Sequence, residues 1–323
     1  MSDPILSIRG LTVEFRVRRG VLTAVDNVDF DIYKGEAVGL VGESGCGKSV
    51  LAHAIIRQVD PNGYFKSGRV LFEGRNVMSF GDEELRRYRW RDAAIVVQGA
   101  LNALNPIMRV GEHMIDTYLA HEKASKDDIH KRASDLLKLV RLDPDRVLNL
   151  FPHEISGGMK QRIIAAMGLL LDTKLLILDE PTSSLDVLTQ KYFLELLRNI
   201  HEKTGLTMLY ITHDLATVAE IAERVAIMYC GSIVEIGKVE DVFYEPKHPY
   251  TAALLNAVPS IVDDIGDVKP LPGPMPDPIR PPPGCKFHPR CPIAEDICSR
   301  VRPKLIDIGG KRFVACHMRG DAI

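Results

Sequence analysis

The sequence lacks any apolar run approaching the roughly 20 residues that a membrane-spanning helix needs. Its most apolar stretch, Leu169 to Leu178, is interrupted by Asp172 and Lys174. The first residues also lack the charged-then-apolar layout of a secretory signal peptide. These absences predict a soluble chain that stays in the cytoplasm. Any association with a membrane would then come through a protein partner.

An excess of charge of one sign is also missing. The chain has 41 Lys and Arg against 43 Asp and Glu, which gives a net charge of −2. No global basic field therefore favours nucleic acid, and we expect no nucleic-acid partner. The sequence shows no internal repeat of about 20–50 residues. Its 323 residues, 46% hydrophobic and 26% charged, fit one large globular domain with an appendage.

A glycine-rich loop at residues 42–49 has the spacing of the Walker A phosphate-binding loop, with an apolar strand before it and a predicted helix after it. Glycines let backbone amides turn toward phosphates, and the helix adds its positive amino-terminal end. Lys48 is predicted to contact the β- and γ-phosphates of ATP, and Ser49 to bind Mg²⁺. The predicted ATP-binding residues of this segment are Gly42, Glu43, Ser44, Gly45, Cys46, Gly47, Lys48, Ser49 and Val50.

A second motif, residues 175–180, is an apolar strand that ends in two acids, Asp179 and Glu180. Two carboxylates at the end of a buried strand repel each other, so a purely structural role is unfavourable. Asp179 is predicted to lie on the Mg²⁺ side. Glu180 is predicted to act as the base that polarises the attacking water.

The order of predicted elements indicates an α/β fold. Alternating strands and helices around the phosphate motifs predict a mostly parallel, doubly wound core, and residues 5–41 predict antiparallel strands beside it. The helical stretch 105–165 interrupts the alternation and is predicted to form a subdomain. Prolines crowd residues 270–283 and predict an extended linker. We therefore expect an ATPase domain over residues 1–260 and a linker with a small cysteine-rich tail over 261–323.

The segment Ile155-Ser-Gly-Gly-Met-Lys-Gln-Arg162, between the two phosphate motifs, resembles the signature of ABC-type ATPases. In that family this element binds the γ-phosphate of ATP held by a different subunit. The resemblance implies that Phe15 stacks on adenine, with core packing as the alternative. It implies that Gln98 reaches Mg²⁺ and the attacking water, and that His213 contacts the γ-phosphate. The residues it places at the dimer seam are Ser156, Gly157, Gly158 and Gln161 of the signature and Ser184 and Asp186 of the D-loop.

Residues 229–237, then Pro246-Lys-His-Pro-Tyr-Thr251, then the linker and cysteines, resemble the ATPases of dipeptide and oligopeptide importers. This implies a second ATPase subunit, two membrane permease subunits and, indirectly, an extracellular substrate-binding protein. It favours a heterodimer, leaves a homodimer open, and implies a peripheral place on the cytoplasmic face of the inner membrane. Import of nickel or oligosaccharides, and a soluble ABC ATPase without transport, are the alternatives. The His-Pro-Tyr element is expected to be a structural turn.

Four cysteines, Cys285, Cys291, Cys298 and Cys316, crowd the end of the chain with the spacing Cys-x5-Cys-x6-Cys-x17-Cys. In a cytosolic protein such a group indicates a metal site before it indicates disulfides. Zinc ribbons more often use tighter pairs, whereas four thiolates also suit a 4Fe–4S cluster. The family resemblance favours the cluster, with zinc as the alternative cofactor and unligated thiols as a third reading. A bound group would hold a proline-rich tail that cannot build its own core.

Overall fold

The computed structural model describes residues 3–99, 103–257, 271 and 273–318. The predicted boundary near residue 260, the start of the linker and residues 100–102 lie outside the described residues. The strands are β1 (Pro4–Val17), β2 (Gly20–Tyr33), β3 (Ala37–Val41), β4 (Gly63–Phe72), β5 (Arg75–Asn76), β6 (Ala93–Val96), β7 (Leu175–Asp179), β8 (Thr207–Thr212), β9 (Arg224–Tyr229), β10 (Ser232–Lys238), β11 (Ile306–Asp307) and β12 (Phe313–Val314). The α-helices are α1 (Lys48–Ile55), α2 (Asp82–Tyr88), α3 (Val110–Leu119), α4 (Lys126–Leu139), α5 (Pro144–Val147), α6 (Gly157–Gly168), α7 (Val187–Thr204), α8 (Leu215–Ile221), α9 (Val239–Tyr244) and α10 (Pro249–Asn256).

The chain divides into two compact units. Unit 1 comprises residues 1–33, 38–78 and 212–323, and unit 2 comprises 34–37 and 79–211. The predicted limits at 105–165 and 260 remain predictions. None of the helices in the described part of the chain is both long and apolar enough to cross a membrane.

Unit 1 contains an antiparallel sheet with strand order β2-β1-β4-β5. It also contains the strands β11-β12-β10-β9-β3 in that order, of which β3 and β9 are parallel and the others antiparallel. Every residue of β3 is buried, as expected for a central strand with both faces covered. The antiparallel region predicted over residues 5–41 is confirmed for β1 and β2, but it is wrong for β3, which pairs in parallel with β9.

Unit 2 contains the parallel strands β8-β7-β6, with β7 in the middle. All five residues of β7 are buried, which explains its unbroken apolar sequence Leu-Leu-Ile-Leu before the first acid. The helical stretch predicted over residues 105–165 contains α3, α4 and α5 and most of α6. Helix α4 buries Ile129, Ala133, Leu136 and Leu137, the apolar side chains that recur at helical spacing. The α/β class is therefore as predicted.

The carboxyl-terminal residues of unit 1 are tied to its amino-terminal strands by ion pairs. The Asp26 carboxylate of β2 lies 2.6 Å from Lys286 Nζ and 2.9 Å from an Arg302 guanidinium nitrogen. Burial raises the pKa of Asp26, but the attraction of these two cations outweighs it and holds that pKa below its ordinary value of 3.8. The carboxylate is therefore charged at neutral pH.

Asp26→Asn should lower the free energy of unfolding at pH 7 by about 3 kcal/mol, because the nearly buried Lys286 ammonium then keeps no anionic partner. The loss should shrink as the pH falls below 3.8, where the wild-type carboxylate protonates too. Urea unfolding followed by circular dichroism measures both effects. Asp296→Asn is the matched control, because its pair with Arg300 is exposed and worth at most about 1 kcal/mol. Equal losses in the two variants would show that the Asp26 pairs do not anchor the tail.

Candidate functional site

The glycine-rich loop of unit 1 connects β3 to α1 and is shaped by its glycines. Gly45 and Gly47 have φ of 80° and 108°, in the left-handed region that favours glycine. A Cβ on Gly42 would lie 2.1 Å from the Met228 carbonyl oxygen, and one on Gly47 would lie 2.1 Å from the Ala24 carbonyl oxygen. The loop therefore packs directly against the neighbouring backbone, and any larger residue at position 42 or 47 would push the loop away from it.

Lys48 is the first residue of α1 and is 5% exposed. Its ammonium group donates to the carbonyl oxygens of Gly42 and Glu43, at 2.8 and 3.0 Å. The charge therefore lies over the loop, where phosphate oxygens could replace the carbonyl oxygens as acceptors. Ser49 and Val50, in the first turn of α1, are partly buried.

The other loop residues differ in exposure. Ser44 and Gly45 are exposed, and Cys46 is buried. Burial raises the pKa of the Cys46 thiol, so this thiol stays protonated at neutral pH and is a poor nucleophile.

The two acids of unit 2 lie at the end of β7. Asp179 is 2% exposed, and Glu180 follows it with a φ of 47°. The Glu180 backbone N–H donates to the Ile211 carbonyl oxygen of β8 at 2.9 Å, which fixes the turn. Gln98, just after β6, donates its side-chain amide to a Glu180 carboxylate oxygen at 3.0 Å. Unit 2 therefore brings together Gln98 and Glu180, which lie 82 positions apart in the sequence.

The signature segment of unit 2 begins α6. Ser156 is the N-cap, and its exposed hydroxyl accepts from the Met159 backbone N–H at 3.3 Å. The helix therefore starts at Gly157, because the capping serine fixes the first turn. Gln161, predicted to act with these residues, is 2% exposed and faces the interior of the unit.

The D-loop segment lies next to the signature segment within unit 2. Asp186 caps α7 by accepting from the Thr189 backbone N–H at 3.0 Å and from its hydroxyl at 2.6 Å. A Cβ on Gly158 would lie 2.6 Å from the Thr189 methyl carbon, so α6 and α7 meet there. Ser184 is exposed, as are the apolar side chains of Val187, Leu188 and Tyr192 that follow it.

The two remaining predicted residues belong to unit 1. His213 is exposed in the bend between β8 and α8. Phe15 is partly buried in β1, and a Cβ on Gly63 of β4 would lie 2.7 Å from its ring. The ring therefore packs over a strand glycine. Its roles in adenine stacking and in core packing both remain predictions.

The relatives of this chain identify its family. It is 43% identical over 315 residues to the "Dipeptide transport ATP-binding protein DppD" of Caldanaerobacter subterraneus, covering 97% of each chain. It is 43% identical over 303 residues to the protein of the same name from Bacillus subtilis, covering 93% of this chain and 90% of the relative. The chain belongs to the ATP-binding proteins of ABC transporters. The family model described as "ABC transporter" matches residues 25–183, and the one described as "Oligopeptide/dipeptide transporter, C-terminal region" matches 234–298.

Solved structures of this family share the fold. A dimeric ATP-binding cassette, MJ0796, in a post-hydrolysis state bound to ADP and Pi, is 26% identical with a TM-score of 0.64. It covers 72% of this chain and 98% of its own. The protein cbiO1 of Clostridium perfringens, part of an ABC transporter complex, is also 26% identical, with a TM-score of 0.65 and coverage of 76% and 92%. The chain is therefore an ABC-type ATPase, and the predicted fold class and enzyme class are confirmed.

The four clustered cysteines of this ABC ATPase approach one another in unit 1. All four line one small cavity of about 10 Å³, together with Phe287 and three histidines. No disulfide joins them. Burial, and then the neighbouring thiols, raise the pKa of Cys285 to about 11. In the described part of the chain, no group of three or more His, Cys, Asp or Glu side chains is placed to hold a single metal ion.

Two residues beside the phosphate loop were not predicted to belong to the site. Tyr250 Oη accepts from the Glu43 backbone N–H at 3.0 Å, and Arg290 forms an ion pair with the Glu43 carboxylate. The only sequence signal was the His-Pro-Tyr element, to which no chemistry was assigned. Arg290 gave no signal at all, because it lies 247 positions away from Glu43.

Proposed function

We propose that this ABC ATPase is the nucleotide-hydrolysing subunit that powers import of dipeptides or oligopeptides. The supporting observation is 43% identity, over 97% of both chains, to a dipeptide transport ATP-binding protein. The match of residues 234–298 to the carboxyl-terminal region of oligopeptide/dipeptide transporters points the same way. The two relatives named above are both described as dipeptide transport proteins, and neither name mentions the rival cargoes, nickel and oligosaccharides.

We assign the nucleotide chemistry to the residues that the sequence predicts for it. Lys48 and the backbone N–H groups of the glycine-rich loop bind the phosphates, and Phe15 stacks on the adenine. Glu180 polarises the attacking water, and the Gln98 amide that donates to its carboxylate orients the pair. His213 contacts the γ-phosphate. Positioning and charge stabilisation account for most of the catalysis of phosphoryl transfer.

Mg²⁺ fits the donor set that we assign to it. Ser49, Gln98 and Asp179 offer hydroxyl, amide and carboxylate oxygens, the hard ligands that Mg²⁺ prefers. When bound, the ion neutralises charge on the phosphate oxygens. Asp179 is the last residue of the buried strand β7 and is 2% exposed, so the strand fixes its backbone position.

We propose that Ser156, Gly157 and Gly158 serve the nucleotide of a second ATPase chain. The amino-terminal end of a helix carries N–H groups that have no acceptor within the helix, and Ser156, Gly157 and Gly158 lie at this end of α6, a setting that favours a phosphate. The exposed apolar side chains of Val187, Leu188 and Tyr192, beside Asp186, provide a surface that a partner would cover. We expect a related but different ATPase chain as the partner, two permease subunits, and a place on the cytoplasmic face of the inner membrane.

Uptake of labelled peptides tests the proposed cargo. Cells that carry the complete importer should accumulate labelled dipeptide or tripeptide, and cells with the Glu180→Gln chain should not. Mass spectrometry of the purified complex identifies its other subunits. Uptake of labelled nickel or oligosaccharide by the wild-type importer, with no uptake of either peptide, would contradict the peptide assignment.

We propose that Cys285, Cys291, Cys298 and Cys316 hold a 4Fe–4S cluster with a structural role. Two observations support this proposal. The four cysteines line one cavity, and four thiols are the donor set that such clusters use. Zinc is the alternative, and the described residues include no group of three or more His, Cys, Asp or Glu side chains already placed around one ion. The cavity is small, so a cluster would require the four side chains to turn apart. When bound, it would supply cross-links that a tail with little core of its own lacks.

Protein purified without oxygen should contain about four iron atoms and four acid-labile sulfides per chain. Cys285→Ser should lose most of this iron, because it removes one of the four ligands. Cys230→Ser is the control, since this buried cysteine lies outside the group of four. Elemental analysis and visible absorption give the result. Colourless wild-type protein with one zinc per chain would favour the alternative cofactor instead.

A further inference from the structure

Residues in the carboxyl-terminal part of unit 1 form hydrogen bonds with the phosphate loop. Glu43, the second residue of the loop, makes two kinds of contact there. Its backbone N–H donates to Tyr250 Oη at 3.0 Å. Its carboxylate accepts from both terminal nitrogens of Arg290, at 2.9 and 3.1 Å. One loop residue is therefore fixed at its backbone and at its side chain.

The Arg290 contact has the features of a strong ion pair. The guanidinium contacts both carboxylate oxygens, so the contact is bidentate and directional. The Arg290 side chain is 5% exposed and the Glu43 side chain 24%, so water screens the pair much less than it screens a surface pair. Arg290 also donates to Tyr229 Oη at 3.3 Å. A charge buried to this extent is costly without its partner, and so the pair fixes the position of Glu43.

The side chains that hold Glu43 are themselves held. Tyr229, Tyr250 and Phe287 pack together with ring centroids 4.6 to 5.5 Å apart. The Tyr250 backbone N–H donates to His248 Nδ1 at 3.0 Å. The backbone N–H groups of Lys247 and His248 donate to the Glu235 carboxylate of β10, at 2.8 and 2.9 Å. The His-Pro-Tyr element is thus fixed to β10, and it delivers the Tyr250 hydroxyl to the loop.

We propose that Arg290 and Tyr250 are positioning residues for ATP binding, which brace the phosphate loop in its binding conformation before nucleotide arrives. The proposal rests on the proposed nucleotide function of the loop. Neither residue is placed to react with ATP, since both act through Glu43. Ordering the loop in advance removes a cost that nucleotide binding would otherwise meet. The carboxyl-terminal region would then set the ATP affinity of the subunit to which it belongs.

The proposal predicts a change in affinity rather than in the chemical step. If Arg290→Gln leaves the loop competent for about one-fifth of the time, the Kd for ATP rises about five-fold. The KM for ATP should rise by a similar factor, and kcat should stay within about two-fold, because bound nucleotide restores the loop. Tyr250→Phe should weaken binding in the same direction, since it removes only the hydroxyl that accepts from Glu43 N–H.

The experiment uses the full-length chain, with equilibrium binding of ATP, steady-state hydrolysis, and hydrogen exchange of residues 42–49 without nucleotide. Arg290→Gln and Tyr250→Phe should speed exchange in this segment and raise both Kd and KM. Arg300→Gln is the matched control: it lies in the same tail, and its exposed pair with Asp296 does not involve the loop. A lowered melting temperature with unchanged Kd and unchanged loop exchange would mean a structural role only, and would overturn the proposal.

A double-mutant cycle tests the direct link between Arg290 and the loop. Glu43→Gln and Arg290→Gln should each raise the Kd for ATP, and the double variant should bind about as weakly as the weaker single variant. If the Kd of the double variant rose by the product of the two single fold-changes, the two residues would act independently. That result would contradict the proposal that Arg290 acts through Glu43. If Arg290→Gln does not fold, Tyr250→Phe carries the same test with a smaller structural change. Failure of the wild-type chain to bind ATP would instead contradict the proposed function, so the two failures are distinguishable.

Discussion

Replacing Glu180 with glutamine should reduce ATP hydrolysis by about 10²- to 10⁴-fold, the usual contribution of a general base. The Kd for ATP should change little, because the loop around Lys48 that binds the phosphates is untouched. A glutamine has nearly the same shape, and so the contact with Gln98 can persist as an amide–amide hydrogen bond. Phosphate release under saturating Mg-ATP, together with equilibrium binding, measures both quantities.

Glu202→Gln is the matched control for this variant. Glu202 is an exposed residue of α7 in the same unit, and its loss of charge should leave hydrolysis unchanged. If Glu180→Gln retained near-normal hydrolysis, the base would be a different residue and our assignment would be wrong. A large rise in the Kd for ATP would indicate that Glu180 acts in binding rather than in the chemical step.

Ser156→Arg should lower the rate of ATP hydrolysis at least about 100-fold. The affinity of the single chain for ATP should stay nearly unchanged. We assign Ser156 to the nucleotide of a second chain, so a bulky cation at the start of α6 blocks assembly of the shared site. A residue that served its own nucleotide would affect binding as well. The split between Kd and kcat is therefore the decisive readout for this variant.

Ser125→Arg provides an unusually close control for the signature serine. Ser125 is also an exposed N-cap, and its hydroxyl accepts from the Asp128 backbone N–H at 3.1 Å, much as Ser156 caps α6. Both substitutions remove a cap worth about 1 kcal/mol. Hydrolysis lost equally in both variants would trace the effect to lost helix capping and would argue against a role for Ser156 at a facing nucleotide.

The parts of the site that could be predicted from the sequence are those that depend on residues close together in the chain. The glycines of the phosphate loop, the acids after β7 and the capping serine of α6 each follow from local backbone requirements. A positive φ, a strand end or an N-cap restricts the residue types at one position, so the motif carries the information.

The contacts that could not be predicted join distant positions. Arg290 and Glu43 are 247 positions apart, and β12 pairs with β10 through residues 77 or more positions apart. No period or spacing in the sequence specifies which exposed-looking arginine will meet a given glutamate, because that depends on how the intervening chain packs. The His-Pro-Tyr element illustrates the limit: its turn was expected, but its contact with the phosphate loop was not.

The sharing of each nucleotide between two chains is tested most directly by the mass of the particle in solution. Multi-angle light scattering of the Glu180→Gln chain, with its companion ATPase subunit and saturating Mg-ATP, should give about twice the 35.9 kDa of one chain. The mass should fall back to that of single chains when ATP is replaced by ADP, which lacks the γ-phosphate. Single chains under every nucleotide condition would contradict the account.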